Sequence, residues 1–167
     1  MGERDNRLKI LKEYITKDEH IEPTKLFYIS CAIDRNEERK PLSNFETNEW
    51  VTTRFDSLSM FYRYDEYHKY LNEIKDHKFV ACPRGHDNCY DTHKIWESLY
   101  LRRVPVFRNW PYYKRLMQGF PVLFVEEWSD ITPKLLKDNN HLYEKAQKMS
   151  LKKLDLSLIF KVIVNSY

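Results

Sequence analysis

The chain has 167 residues, 42% hydrophobic and 15% aromatic, which is enough for one full hydrophobic core and too little for two domains. Its 28 basic and 25 acidic residues give a formal net charge of +3, and without a long block of like charges this mild balance argues against a nucleic-acid partner. No run of about 18 apolar residues occurs, so no membrane span is expected, and the polar segment Met1–Lys12 lacks a signal-peptide apolar region, which predicts a cytoplasmic chain.

Residues 1–20 are highly charged with a weak helical period (Leu8, Leu11, Ile15), and residues 1–24 read as a leading helix or arm. Lys25 to Asp34, with the run Leu26–Ile33, predicts a buried strand, followed by a charged loop through Lys40. Trp50 to Arg54 predicts a second strand. Between Phe55 and His77 the apolar positions Leu58, Phe61, Tyr62, Tyr67, Tyr70, Leu71 and Ile74 fit one or two amphipathic helices. Phe79 to Cys82 is a third strand, and Thr92 to Arg102 a helix with Asp91 as N-cap. Val104 to Phe107 is a fourth strand, Trp110 to Met117 a helix with Pro111 in its first turn, and Pro121 to Glu126 a fifth strand. Thr132 and Pro133 read as N-cap and first position of a helix reaching about Met149. The apolar tail Leu154–Val164, within residues 151–167, predicts a closing helix that docks elsewhere.

Strands of four to eight apolar residues alternating with helices predict an α/β fold: a single Rossmann-like domain over residues 25–150, with a mostly parallel sheet and helices on both faces. Ligands of such sheets bind beyond the carboxyl ends of the strands. The loops Asp34–Lys40 and Pro83–Asp91 both follow strands and lie at that edge. The second loop draws attention because it holds Gly85, one of only three glycines, where average usage near 7% would give about twelve.

At the start of the helix after that loop, Asp91, Thr92, His93 and Lys94 combine free backbone N–H groups with a hydroxyl, an imidazole and an ammonium, a set suited to an anion such as phosphate. Glu97 stands one turn further, about 6 Å along the axis, a separation that suits ribose hydroxyls beside a diphosphate. The simpler alternative is a solvated first turn with a Lys94–Glu97 surface pair. Basic residues of the Asp34–Lys40 loop, Arg39 among them, could reach the same phosphate, or form a solvated turn. Cys82, His86, Cys89 and His93 are spaced C-x3-H-x2-C-x3-H, which leaves zinc or a Cys82–Cys89 disulfide as minor alternatives. Against zinc, Cys82 ends an apolar strand and is expected in the core. Three cysteines are too few for a disulfide framework and predict reduced thiols. Tyr62, Tyr64, Tyr67 and Tyr70, at helical spacing, predict helix-on-sheet packing rather than base stacking. No G-x-S-x-G, P-loop or H-E-x-x-H pattern is present.

Pro83-Arg84-Gly85, then Asp91-Thr92-His93-Lys94-Ile95-Trp96-Glu97-Ser98-Leu99-Tyr100-Leu101, then Val104-Pro105-Val106 resembles the C-terminal half of exostosin-like glycosyltransferases of the GT-B fold. That family's pattern reads approximately P-R-G, a short loop, D-x-H-R-x-W-E-A-L-x-x-G-x-I-P-V. Leu26–Lys40 resembles its first strand and N-x-x-R loop, with Asn36 and Arg39 at the motif positions, and Leu123–Thr132 resembles the segment after its last core strand. The resemblance covers about residues 25–165.

It implies a domain that binds a nucleotide-sugar donor for hexosyl or pentosyl transfer to a glycan or glycoconjugate acceptor, with no metal and no cofactor beyond the donor. Carried over, Glu97 would hold the ribose, Arg84, Gly85, Asp91, Thr92, His93 and Lys94 would line the diphosphate or sugar, and Arg39 would approach the phosphates. Lys94 stands where the family has Arg, which keeps the charge but loses the planar fork, and Arg102 stands where it has Gly. A GT-B reaction also needs an acceptor-binding domain, which would come from a longer chain or a partner; otherwise the chain is a degenerate relative. A non-catalytic interaction module with the same fold is the alternative function.

Overall fold

The structure, a computed structural model, describes residues 3–16, 21–55, 64–85 and 92–154. Five strands, β1 (Lys25–Ser30), β2 (Val51–Arg54), β3 (His77–Ala81), β4 (Val104–Arg108) and β5 (Leu123–Val125), form one parallel sheet in the order β2-β1-β3-β4-β5. Six α-helices accompany them among the described residues: α1 (Glu3–Thr16), α2 (Tyr64–Lys75), α3 (His93–Tyr100), α4 (Pro111–Leu116), α5 (Pro133–Asp138) and α6 (Asn140–Lys148). This is the Rossmann-like α/β architecture that the alternating pattern predicts.

Strand residues alternate between two cores, as the two-residue period of a strand requires. Tyr28, Val80, Cys82 and Phe107 point to a face covered by α1, α2, α3 and α4. Phe27, Ile29, Phe79, Ala81, Val104, Val106, Leu123 and Val125 point to the opposite face, under Leu42, Phe45, Leu136, Tyr143 and Ala146. At the amino edge the buried Arg103 guanidinium donates to the carbonyls of Lys75 (2.6 and 3.0 Å) and Ile21 (2.9 Å), tying the lead into β1 to the end of α2.

Several boundaries differ from the sequence reading. The first strand ends at Ser30, and residues 33–35 and 37–45 form 3-10 turns rather than an open charged loop, with Glu38 and Arg39 buried. β3 begins at His77, whose ring bonds Thr52 Oγ1 and the Glu73 carbonyl. α3 begins at His93 with Thr92, in extended backbone, as N-cap. The helix expected over residues 132–149 is broken at Asn139, whose side chain donates back to the Leu135 carbonyl and caps α5. The part of the 55–77 reading that covers residues 56–63, the loop residues 86–91 and the tail helix after Leu154 lie outside the described residues.

Arg102 has φ of 57°, the left-handed conformation that follows many helices and favours glycine. Its side chain donates to the carbonyls of Gln147 and Met149, so the side chain is anchored where the backbone is strained. Arg102→Ala and Arg102→Gly both lose those bonds, but only Gly relieves the backbone. In denaturant unfolding the Ala variant is expected to be less stable than the Gly variant by about 1 kcal/mol.

Candidate anion-binding crevice

The order β2-β1-β3-β4-β5 reverses direction between β1 and β3. The segment after β1 packs on one face, through Leu42 and Phe45, and α3 after β3 packs on the other, through Ile95 and Leu99. Past the last paired residues the two strands bond outward. Cys31 N–H donates to Arg54 of β2 at 3.1 Å and Cys82 N–H to Val106 of β4 at 2.9 Å. A crevice opens between them, where open α/β sheets bind ligands.

The Asn36-x-x-Arg39 and Pro83-Arg84-Gly85 segments meet across this crevice. Arg39 Nε and Nη2 donate to the Arg84 carbonyl at 2.8 and 2.6 Å, and Nη1 donates to the Ala32 carbonyl at 3.1 Å. Asn36 Nδ2 donates to the Gly85 carbonyl at 3.0 Å, while its Oδ1 accepts from Glu38 N–H. Arg84 forms an ion pair with Glu38, and its guanidinium lies 4.5 Å from the Trp110 ring centroid. Arg39 is therefore first a clamp on two loops. One N–H on each terminal nitrogen is left without an acceptor among the described residues.

Lys94 lies beside that clamp on the first turn of α3. It is only 8% exposed, and its ammonium has no hydrogen bond or ion pair among the described residues. The simpler alternative of a solvated Lys94–Glu97 surface pair is not what forms, since both residues are buried. Burial lowers the pKa of Lys94, and the neighbouring Arg39 charge adds to this, against opposing contributions from Cys31, Cys82 and Glu97. The N-cap Thr92 makes no side-chain capping bond, and its Oγ1 is buried without a partner among the described residues. The first turn of α3 contains no acidic residue. Two buried cations, an orphaned hydroxyl and a helix N-terminus thus share one crevice with no described carboxylate neutralising Lys94.

No protein-family model and no curated protein matches this chain.

Glu97 is 5% exposed, and its carboxylate is gripped from α2: Tyr67 Oη donates to Oε1 at 2.6 Å and Tyr70 Oη to Oε2 at 2.9 Å. His93 Nε2 is 3.9 Å from Oε2. Burial, then the charge and hydrogen bond of Glu97, hold the Tyr70 hydroxyl well above its ordinary pKa, so it stays protonated and donates. The helical spacing of Tyr67 and Tyr70 predicts packing residues, and the structure adds this polar role. Their three-residue spacing on one helix face was the available signal that they act together.

Both described cysteines are buried, free thiols. Burial raises the Cys31 thiol and pushes Cys82 up to about 12, so both are neutral at pH 7. Cys82 lies in the core, as its strand position predicts. His86, Cys89 and Asp91 lie outside the described residues, and among those described no group of His, Cys, Asp or Glu is arranged to hold a metal.

A lysine whose folded pKa is depressed binds fewer protons in the native than in the unfolded chain between that pKa and its ordinary 10.5. Its destabilising effect is complete below the folded pKa and fades as pH rises toward the unfolded value. Lys94→Met is therefore expected to unfold at higher denaturant concentration than wild type at pH 7, by about 1–3 kcal/mol, with the gap narrowing between neutral pH and pH 10.

Proposed function

We propose that this domain binds the diphosphate of a nucleotide-sugar and serves as the donor-binding part of a metal-independent glycosyltransferase of exostosin-like type. The observation that carries this reading is Lys94, an ammonium buried at the switch point of a parallel sheet with no counterion among the described residues. A bound anion would supply the missing charge. Support also comes from the order and spacing of the Asn36-x-x-Arg39, Pro83-Arg84-Gly85 and Thr92–Glu97 segments, which agree with the family pattern and converge on this crevice.

In this reading the diphosphate accepts from the Lys94 ammonium, the Thr92 hydroxyl and the first-turn N–H groups of α3, and His93 adds a donor at the rim. Arg39 fixes the loop carrying Arg84 and Gly85 and directs its two remaining N–H groups to the anion. Charge building on a leaving diphosphate is stabilised by these fixed dipoles and cations. Glu97 has lone pairs left beside its tyrosine bonds, and a ribose would share the carboxylate with Tyr67 and Tyr70. Transfer itself requires an acceptor-binding domain, so the activity assigned to this domain is donor binding.

Calorimetric titration with UDP and GDP tests the proposal. Binding is expected for at least one of them and is expected to weaken by tenfold or more in Lys94→Met, about 1.4 kcal/mol, although that variant is the more stable protein. Absence of binding at millimolar nucleotide sinks the reading. Glu97→Ala binding UDP as tightly as wild type would remove the ribose role alone. Because an anion restores the depressed Lys94 to its charged form, binding at alkaline pH is expected to take up protons, seen as a dependence of the measured heat on buffer ionisation enthalpy.

A further inference from the structure

The outer side of α5 and α6 carries charge that the crevice does not use. Residues 133–153 contain six lysines against Asp138 and Glu144, a net charge of +4 in a chain whose total is +3. Positive charge is therefore gathered in this segment and slightly outweighed in the rest of the chain. Lys134, Lys137, His141, Lys145, Lys148 and Lys152 follow one another at three or four residues, and all six are exposed. That spacing keeps them on one side of the helices, while Leu136, Tyr143 and Ala146 turn to the other side and enter the core. Asn139 breaks the helix between Lys137 and His141 without changing which side is exposed.

The stripe has little compensation of its own. Lys134 pairs with Asp138, and the Glu144 carboxylate accepts from Asn140. Lys137, Lys145, Lys148 and Lys152 have no ion pair among the described residues. Like charges three or four apart on a helix repel, so an anionic surface laid along this side relieves a cost that the free protein carries.

The kind of anion follows from what the stripe lacks. Between residues 133 and 152 there is no arginine to grip one phosphate or carboxylate in a planar fork, and the aromatic ring of that segment, Tyr143, is buried and offers no platform for a base. Lysines are point charges on flexible stems, which suits a field spread over a plane better than a shaped ligand. Directly after the stripe, residues 155–164 hold seven apolar residues in ten, from Leu156 to Val164. Polybasic attraction beside an apolar segment is the pair of signals that peripheral membrane attachment uses.

We infer that the α5–α6 stripe is a docking face for an anionic lipid surface. Lys78 donates to Asn140 and Tyr143 donates to Glu22 at the amino edge of the sheet, so α6 lies away from the crevice at the carboxyl edge. The inference does not rest on the diphosphate reading.

The test is co-sedimentation of the whole chain with vesicles of phosphatidylcholine alone and of phosphatidylcholine in which a third of the lipid is replaced by phosphatidylserine. Binding is expected to the anionic vesicles only, and is expected to weaken as salt is raised. Each lysine near such a surface is worth about fivefold in affinity. The exposed pair of changes Lys145→Gln and Lys148→Gln, outside the core, is therefore expected to weaken binding about tenfold or more, while Lys145→Arg with Lys148→Arg retains it. Millimolar UDP is expected to leave vesicle binding unchanged. No binding to the anionic vesicles, equal binding to both kinds, or anionic binding that the Gln pair leaves unchanged overturns the inference. So does competition by UDP, which assigns the lipid phosphate to the crevice. Tighter binding to single-stranded RNA than to anionic vesicles at the same salt assigns the stripe to nucleic acid and also overturns it. If vesicles bind while neither nucleotide does, the diphosphate reading fails and the docking face stands.

Discussion

The Arg39 guanidinium reaches both sides of the gap that the sheet opens where its strand order reverses. Beyond Ser30 and Ala81 the backbones of β1 and β3 bond to their outer neighbours, so no ladder joins them. Arg39 replaces that missing connection by donating to the Ala32 and Arg84 carbonyls together. Its planar fork suits this task, since parallel N–H groups can reach one carbonyl while the opposite nitrogen reaches another. The positions of Arg84, Gly85 and the approach to α3 all follow from where this side chain sits. The same contacts keep a cation at the base of the crevice, so holding the loops together and setting the local charge are one task.

Around that clamp the protein accepts a local instability. Lys94 is buried beside a second cation, and Thr92 caps its helix without using its hydroxyl. Either arrangement lowers stability in the absence of a ligand, and both lie at the carboxyl edge of the sheet. Three other buried polar groups are satisfied: Arg103 is surrounded by carbonyls, His77 is bonded through both nitrogens, and Glu97 is held by two tyrosines.

Much of this was legible in the chain. The apolar runs beginning near Leu26, Phe79, Val104 and Leu123 identify strands because a strand buried on both faces needs apolar residues at successive positions. The order of those strands was not legible, since it is decided by pairings between distant segments. Asn139 sits inside an unbroken apolar period running from Leu135 to Ala146, so periodicity could not show that its side chain would end one helix before the next begins. At the site, the sequence placed Thr92, His93 and Lys94 on one helix start. It could not show that Lys94 would lose its partner, because Glu97 turns toward tyrosines 27 and 30 residues away.

The Arg103 latch has a consequence for how the chain acquires its structure. It joins Ile21 to a residue 82 positions later, through carbonyls on both the lead into β1 and the end of α2. During synthesis, β1 and β2 emerge well before Arg103 does, and β3, the neighbour that closes the far side of β1, also lies between them. Until Arg103 and β4 have emerged, the N-terminal strands lack this latch and β3 lacks its outer neighbour, and an uncovered strand edge of that kind favours association with other chains.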